Sequence, residues 1–450
     1  MLSLPRAAVG TVQADTDLHT ALWALIESLR RHGLQVQSFL SRACFSRYQC
    51  TAAVAGSNPR HLDSWLMSTD LCREIFVRGT EDCDLAVVEG EFRSVDRDDS
   101  ALGGRLELLC DWLDLPRLAV IDASKLDDEC LWGMAEKLDG LLLDRVSDQR
   151  NADRLADDIE TRHGVPVLGT LGTISQLRAE LGAVAGGTRP PRDLCQQLGR
   201  KLATRWSAEQ LMQLASRRGI SGVTHEELAD DLPQGSVTIA LAYDEAFNCY
   251  FPDTLDLLEA RGATMLDFSP LRDELLPDDV DIVYIGCGHP ERHADELSHN
   301  HCMNHALREH LRGGGRIYAE GGGLAYLCQE MEAPDGQNRR MAGVFPAIAL
   351  CNRQCASPTP VEMTMARSTW LAAEGSSLRG YRNPLWRLQP AGYLTGCVEQ
   401  TDNPYDLVGN YRALGSLLHL DFAAEPNLLR SFFDPQPCHS DPADPWTMMT

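Results

Sequence analysis

Residues 318–327 read YAEGGGLAYL, a short apolar strand that ends in glycines and runs into the start of a helix. This is the layout of a nucleophile elbow, where Ser or Cys sits on a strained strand-to-helix turn with its side chain clear of the sheet. Here the turn is Gly321, Gly322 and Gly323, so the group that would attack a carbonyl is missing. Glycine keeps the backbone able to adopt the strained turn while deleting the nucleophile. Glu320, just before the turn, reads as a structural acid at the strand end. Cys328 lies about two helical turns beyond Gly321 and reads as core.

A second group with chemical potential is a run of histidines. Six of the 13 fall between His289 and His310, in GHPERHADELSHNHCMNHALREH. If residues 299–310 are helical, His301 and His305 stand one turn apart on one face, a spacing able to chelate a transition metal such as Zn, Ni or Co. Cys302 is adjacent, and His289 and His293 come from the preceding loop. The alternative is a His-rich polar helix surface, because no closed four-ligand spacing is visible.

The elements that must position these groups follow from periodicity. The chain has 450 residues, enough for two or three domains, with 44% hydrophobic residues and few aromatics, as in α/β proteins. Apolar strands are expected around Ala7 to Gly10 and in LQVQSF, DLAVVEG, RLAVIDA, LDGLLLDRV and GVPVLGTLG, with a helix from Leu18 to Arg31. Strands alternating with helices predict a doubly wound parallel sheet. Around AVAGGTRPPRD the composition turns to Gly, Pro and Arg, and a helical stretch from Leu194 to about Ala229 leads to a second α/β unit with strands in VTIALAYDE, ATMLDF, DIVYIGCG and RIYAEGGG. The expected division is a first domain over 1–190, a helical linker over 191–234, a second domain over 235–434 and a flexible tail over 435–450.

Charge narrows the partners. Lys+Arg 41 against Asp+Glu 65 gives a net charge of −24, a field that repels phosphate backbones and anionic membranes, so neither nucleic acid nor membrane is expected. No leader-like apolar segment and no run of about 18 apolar residues is present, which predicts a cytoplasmic protein. Fifteen cysteines, an odd number without a CxxC pair, read as buried small hydrophobes rather than a disulfide framework.

Several stretches in order, HLDSWLM (61–67), VVEGEFRSVD (87–96), YDEAFNCYFPDTLDLLEARGA (243–263), GCGHPERHADELSHN (286–300), YAEGGGLAYL and GSLLHLDF (415–422), resemble the cobyrinic acid a,c-diamide synthase family over nearly the whole chain. The resemblance implies an N-terminal P-loop-like, dethiobiotin synthetase-like domain followed by a flavodoxin-like domain of the class I glutamine amidotransferase type. It also implies Mg-ATP, glutamine as ammonia donor and a corrinoid precursor as substrate. The family's phosphate loop would fall on VGTVQADTDLHTAL, yet after Gly10 and Thr11 no glycine follows until Gly33, and Asp17 and Leu18 stand where the Lys and hydroxyl belong. Carboxylates at Asp15 and Asp17 would face a polyphosphate, and two like charges about 4 Å apart repel by roughly 4 kcal/mol at an effective dielectric near 20. The bland reading is that Asp15 or Thr16 caps the following helix. The family's second-strand motif is replaced by FLSRACF. Asp63, Glu89 and Asp96 match substrate- or metal-handling positions, with Arg93 in place of a glycine between the last two. In the second domain His419 matches the family's base, Gly321 falls on its Cys nucleophile, and Gly286, Cys287 and Gly288 form the loop that shapes the oxyanion side of the pocket, from which Cys287 could approach the empty elbow. A Gly-His-Glu-Phe-His motif is replaced by RGYRNPLW.

With four motifs stripped of their chemical groups, the first expectation is a catalytically degenerate paralogue that binds a tetrapyrrole or a partner, either an intact synthase or a second copy of itself. The alternatives are an active ATP-dependent amidating enzyme using glutamine or free ammonia, and a metal-binding interaction protein.

Overall fold

The computed structural model describes residues 4–13, 16–45, 47–92, 103–126, 138–184, 187–217, 236–352, 357–409 and 412–435. They fall into two compact units, one through residue 217 and one from 236 onward, with the short segment at Ala43 grouped with the second. Both are α/β. The tail expected from residue 435 onward lies, beyond its first residue, outside the described residues.

The first unit is built on strands β1 (Arg6–Thr11), β2 (Val36–Leu40), β3 (Arg60–His61), β4 (Leu85–Glu91), β5 (Arg117–Asp122), β6 (Gly140–Val146), β7 (Val167–Gly172) and β8 (Leu202–Thr204). They form one sheet in the order β3-β2-β4-β1-β5-β6-β7-β8. All pairs are parallel except β7 with β8. The central strands are buried along nearly their whole length, which is why they read as unbroken Val, Leu and Ala runs rather than alternating ones. Helices α1 (Leu18–Arg31), α2 (Tyr48–Ala55), α3 (Thr69–Gly79), α4 (Leu106–Leu113), α5 (Gln149–His163) and α6 (Ser175–Ala183) connect or follow the strands.

Of the helical linker expected over 191–234, the part through residue 217 belongs to the first unit, and residues 218–234 lie outside the described residues. Helix α7 (Arg192–Lys201), β8 and α8 (Ala208–Ala215) belong to the first unit. The cause lies in α1, which is buried on more than its sheet-facing side. Its Glu27 is fully buried and accepts both terminal nitrogens of Arg192, at 2.6 and 3.0 Å, at the first position of α7. Gly199 lets α7 come that close, since a Cβ there would lie 2.5 Å from Glu27 Cγ. A buried carboxylate needs such a partner, and this one fixes α7 on α1.

The second unit contains β9 (Val237–Ala242), β10 (Phe247–Cys249), β11 (Ala263–Phe268), β12 (Ile282–Ile285), β13 (Cys287–Gly288) and β14 (Arg316–Glu320). After β14 come β15 (Cys328–Glu332), β16 (Asn338–Arg340), β17 (Phe345–Cys351), β18 (Thr359–Met365), β19 (Ser377–Arg382), β20 (Trp386–Pro390), β21 (Val398–Glu399), β22 (Leu407–Gly409), β23 (Ala413–Ser416) and β24 (Leu418–His419). The main sheet runs β11-β9-β12-β14-β23-β22, parallel except at β22. Two four-stranded sheets, β16-β15-β17-β20 and β21-β18-β19-β24, and the pair β10-β13 complete it. Helices α9 (Pro252–Ala260), α10 (Ala294–His299), α11 (His301–Arg312), α12 (Gly322–Leu327) and α13 (Pro426–Phe433) complete the unit. Behind β14 the rings of Tyr284, Tyr318, Phe422 and Phe432 pack edge to face, with Tyr318 and Phe422 centred 5.1 Å apart, and give the strand a stiff backing. Among the described residues no helix is long and apolar enough to cross a membrane.

Candidate active site

The YAEGGG segment forms the elbow its sequence suggests. Strand β14 lies between β12 and β23 in the main sheet, and Gly321 turns the chain into α12 with φ +53° and ψ −107°. The turn is fixed by the Gly321 N–H donating to Ser416 O at 2.8 Å. Neighbouring glycines serve close approach: a Cβ on Gly323 would meet Ile285 O at 2.2 Å, and one on Gly288 would meet Ala246 O at 2.0 Å. The position has the geometry that holds a nucleophile and no atom to act as one.

The place where that side chain would begin is taken. An ideal Cβ on Gly321 would lie 3.0 Å from Cys287 Sγ and 2.9 Å from Asn383 Nδ2. Asn383 Nδ2 itself donates to Cys287 Sγ at 3.3 Å, and the backbone N–H groups of Gly322 and Gly288 lie near enough to the sulfur to favour its thiolate form. These two N–H groups flank the elbow, where an oxyanion hole is needed for a tetrahedral intermediate. Cys287 therefore approaches the empty elbow, as its loop position suggested, but as an occupant of the donor site. Its thiol is pushed well above the ordinary cysteine range by burial and by the nearby Cys249 and Glu320, which outweigh the N–H donors. A protonated buried thiol is a poor nucleophile.

His419, on β24, is buried and meets Glu320 Oε1 through Nδ1 at 2.8 Å, while Tyr318 donates to Glu320 Oε2 at 3.3 Å. Glu320 is thus the residue that orients the imidazole, not simply an acid closing a strand. Gly380 permits the pairing of β19 with β24, since a Cβ there would sit 2.5 Å from His419 O. The His419 imidazole is thus held by a carboxylate beside an elbow that carries no thiol or hydroxyl. Asn383 is a site residue that the sequence did not single out. Its only signal was its place in RGYRNPLW, four residues after Arg379. Cys328 turns its Sγ to Leu324 O at 3.3 Å and stays in the core.

In the first unit, the described residues of the segment after β1 make contacts of packing and capping. Gly10 is a glycine for packing, since a Cβ there would lie 2.8 Å from the Phe92 ring and 2.9 Å from Leu106 Cδ2. Thr11 Oγ1 accepts from the Gln13 N–H at 3.2 Å, and the Gln13 side chain ties this turn to the end of β5, accepting from Asp122 N at 2.6 Å. The cap of α1 is Asp17, in place of the expected Asp15 or Thr16, because Asp17 accepts from Thr20 N at 3.3 Å and from the Thr20 hydroxyl at 2.6 Å. Asp15 lies outside the described residues. Arg178 from α6 then donates to Asp17 at 2.7 Å and to the fully buried Asp144 at the end of β6. A carboxylate and its guanidinium thus occupy the helix N-terminus, where a phosphate would otherwise find N–H groups and positive field. Burial pushes the Asp17 carboxyl up, but the Thr20 hydroxyl and Arg178 carry it below the usual range.

Glu89, on β4, is buried, and burial pushes its pKa to about 8. The nearest cation-forming group is His19 Nε2 at 3.9 Å, whose pKa burial lowers to about 4. At neutral pH both groups are uncharged, so this is no ion pair. Asp63 is buried with Oδ1 accepting from Trp65 N at 2.9 Å and Leu66 N at 3.3 Å, a turn-forming role. Asp96 lies outside the described residues. A direct check of the packing role is Gly10→Ala, which is expected to lower stability by about 1–3 kcal/mol through the clash with Phe92. Chemical denaturation measures it, and an unchanged midpoint would refute it.

The histidine helix is present from His301, and His301 and His305 stand exposed with Cys302 between them. His305 Nε2 faces Glu309 at 3.8 Å. His289 and His293 are engaged by Glu291 and Glu296, each at 2.9 Å. Among the described residues no three His, Cys, Asp or Glu side chains come together to hold a metal ion.

Comparison with known proteins gives these observations a frame. Residues 238–383 match the CobB/CobQ-like glutamine amidotransferase domain. Across 96% of the chain and 99% of the relative, the sequence is 28% identical to the cobyrinate a,c-diamide synthase of Syntrophotalea carbinolica. The corresponding protein of Salmonella typhimurium is 26% identical, over 91% of this chain and 94% of its own. Among solved structures, a glutamine amidotransferase aligns with 44% of this chain and 97% of its own at 16% identity and a TM-score of 0.34. The Aquifex aeolicus MinC:MinD cell division protein complex aligns with 48% of this chain and 97% of that chain at 12% identity and a TM-score of 0.29.

Proposed function

We propose that this chain, which belongs to the cobyrinate a,c-diamide synthase family, keeps the family scaffold without its glutamine chemistry and binds a polycarboxylate tetrapyrrole of the cobyrinate type without amidating it. The observation that carries this reading is the occupied elbow: Gly321 supplies no nucleophile, and the protonated Cys287 thiol sits among the N–H donors. Free ammonia would bypass the elbow but not the first unit, where the Asp17–Arg178 pair stands at the helix end that a nucleotide phosphate needs. In this reading Mg-ATP is not a cofactor. A transition metal enters as the ion of the bound tetrapyrrole rather than through the α11 histidines, and the setting is cytoplasmic. The bound form serves as a carrier or as a regulator of an intact synthase.

Spectroscopic titration of the purified protein with cobyrinic acid, with and without ATP and Mg²⁺, tests it, with amidation products followed in the same sample. Saturable spectral change without product is the expected result, and ATP is expected to leave the affinity unaltered. Product formation would overturn the degenerate reading. Absence of binding would overturn the tetrapyrrole reading and leave a protein partner to be sought.

A further inference from the structure

Strands β10 and β13 pair only with each other, and their antiparallel register sets Cys249 opposite Cys287. Among the described strand pairs no other sets two cysteines face to face: Cys328 pairs with Phe345, and Cys351 with Trp386. Directly opposed residues of an antiparallel pair have Cα atoms about 4.5–5.5 Å apart and side chains on the same face. A disulfide spans Cα separations of about 4.4–6.8 Å. Both cysteines are buried, and neither is bonded to another sulfur.

The pair is held from both sides. The hydroxyl of Tyr250, next to Cys249, accepts from the N–H of Gly286, next to Cys287, at 3.0 Å and donates to Ala242 O. On the other side His289 N donates to Ala246 O at 2.9 Å, and a Cβ on Gly288 would meet the same oxygen at 2.0 Å. These contacts tie residues flanking each cysteine to the opposite strand, so the two backbones cannot separate without breaking buried hydrogen bonds. The register shifts between Phe247 and Cys249, and there Asn248 Oδ1 accepts from Cys249 Sγ at 3.4 Å. Burial raises the Cys287 thiol, and after burial the neighbour that raises it most is Cys249, ahead of Glu320, which puts the two sulfurs within electrostatic reach.

From this geometry we infer that Cys249 and Cys287 are a redox pair, a modification site that a small peroxide oxidant closes to a disulfide and a thiol reductant reopens. One sulfur attacks a peroxide oxygen and breaks the O–O bond, giving a sulfenic acid and one water. The second sulfur displaces the hydroxyl as another water, and the S–S bond forms. Both thiol protons leave in the waters, and two electrons pass from the sulfurs to the peroxide. Burial of both sulfurs makes the reaction slow. The link joins the loop at the oxyanion side of the elbow to β10 and commits the sulfur that accepts from Asn383 Nδ2. The site does not depend on the tetrapyrrole reading.

Peptide mapping of the full-length protein after hydrogen peroxide treatment, with free thiols blocked under denaturant and no reductant present, is the test. Cys302, exposed on α11, reports that the oxidant has acted. The expected product is a peptide linked through Cys249 and Cys287 that dithiothreitol separates, with Cys328, buried and facing no other cysteine, still a free thiol. The oxidised parent should unfold several degrees above its reduced form, because the link closes a loop in the unfolded chain. Cys249→Ser should show neither the linked peptide nor the rise, whereas Cys302→Ser should form the link as the parent does. Gly321→Cys would add a competitor for the Cys287 sulfur, so Gly321 is kept throughout. The inference is overturned if the parent contains no peptide linked through Cys249 and Cys287 once Cys302 is fully oxidised, or if Cys287 is linked to a different cysteine.

Discussion

Placing a cysteine at the elbow by Gly321→Cys is expected to yield a cross-link rather than a glutaminase. The Cβ of residue 321 would stand 3.0 Å from Cys287 Sγ, so a sulfur attached to it has the Cys287 sulfur as its immediate neighbour. A disulfide requires sulfurs about 2.05 Å apart and Cβ atoms near 3.8 Å, and a Cβ this close to the opposite sulfur is compatible with that geometry. With copper phenanthroline as oxidant, the two thiols release two protons to solvent and one electron to each of two Cu²⁺ ions, which become Cu⁺, and the sulfurs bond to each other. Closing a loop of this length constrains the unfolded chain by about 3–4 kcal/mol, while the cost of about 1–2 kcal/mol for a side chain at positive φ is common to both redox forms. The oxidised variant should therefore unfold at higher temperature than its reduced form. Mass spectrometry of the non-reduced peptide and a thiol count under denaturant detect the link. Glutamine hydrolysis should be absent from the single variant and appear, slowly, only in Gly321→Cys with Cys287→Ala, where the N–H groups of Gly288 and Gly322 are released. Hydrolysis by the single variant with Cys287 still free would refute the view that this thiol occupies the oxyanion donors.

This outcome turns on contacts that no local pattern discloses. The buried parallel strands were legible because Val, Leu and Ile fill both faces: DLAVVEG became β4 and RLAVIDA became β5, and α1 spans Leu18–Arg31 as its spacing predicts. The elbow was legible because a strand ending in glycines before an apolar helix has few other uses. The region from Cys328 to Gly409 was not, because its strands are short and only half buried, so alternation is broken and pairing is decided by partners distant in sequence. The site shares that difficulty. Glu320 meets His419 across 99 positions, Cys287 meets Asn383 across 96, and Gln13 meets Asp122 across 109. Three acids or hydroxyls in a row before α1 all suit a cap, and only the backbone turn selects Asp17.

Glu89→Gln is expected to make the protein more stable in mild alkali while changing little in acid. An unpaired glutamate in an unfolded chain titrates near 4.3, whereas buried Glu89 holds its proton to about pH 8. Between those values the folded state binds more protons than the unfolded state, so this residue's contribution to stability is complete below about pH 4 and is lost as pH rises through 8. The full loss is on the order of 5 kcal/mol. Two neighbours titrate in the same range. Asp144, pushed up to about 6 by burial against the pull of Arg178, loses stability in the same sense between about pH 4 and 6. His19, lowered to about 4 by burial, acts oppositely and gains stability as pH rises from 4 to 6.5. Above pH 6.5 both have finished, and of the three only Glu89 remains. Urea unfolding at pH 5, 7 and 9 reads its effect: the loss through Glu89 is about 2–3 kcal/mol between pH 5 and 7 and about 1–1.5 kcal/mol between pH 7 and 9, where neither neighbour contributes, and Glu89→Gln should lose less than the parent by these amounts. Parallel curves for the two proteins would mean that Glu89 is already ionised at neutral pH, and the carboxylate would then have to be assigned a cationic partner.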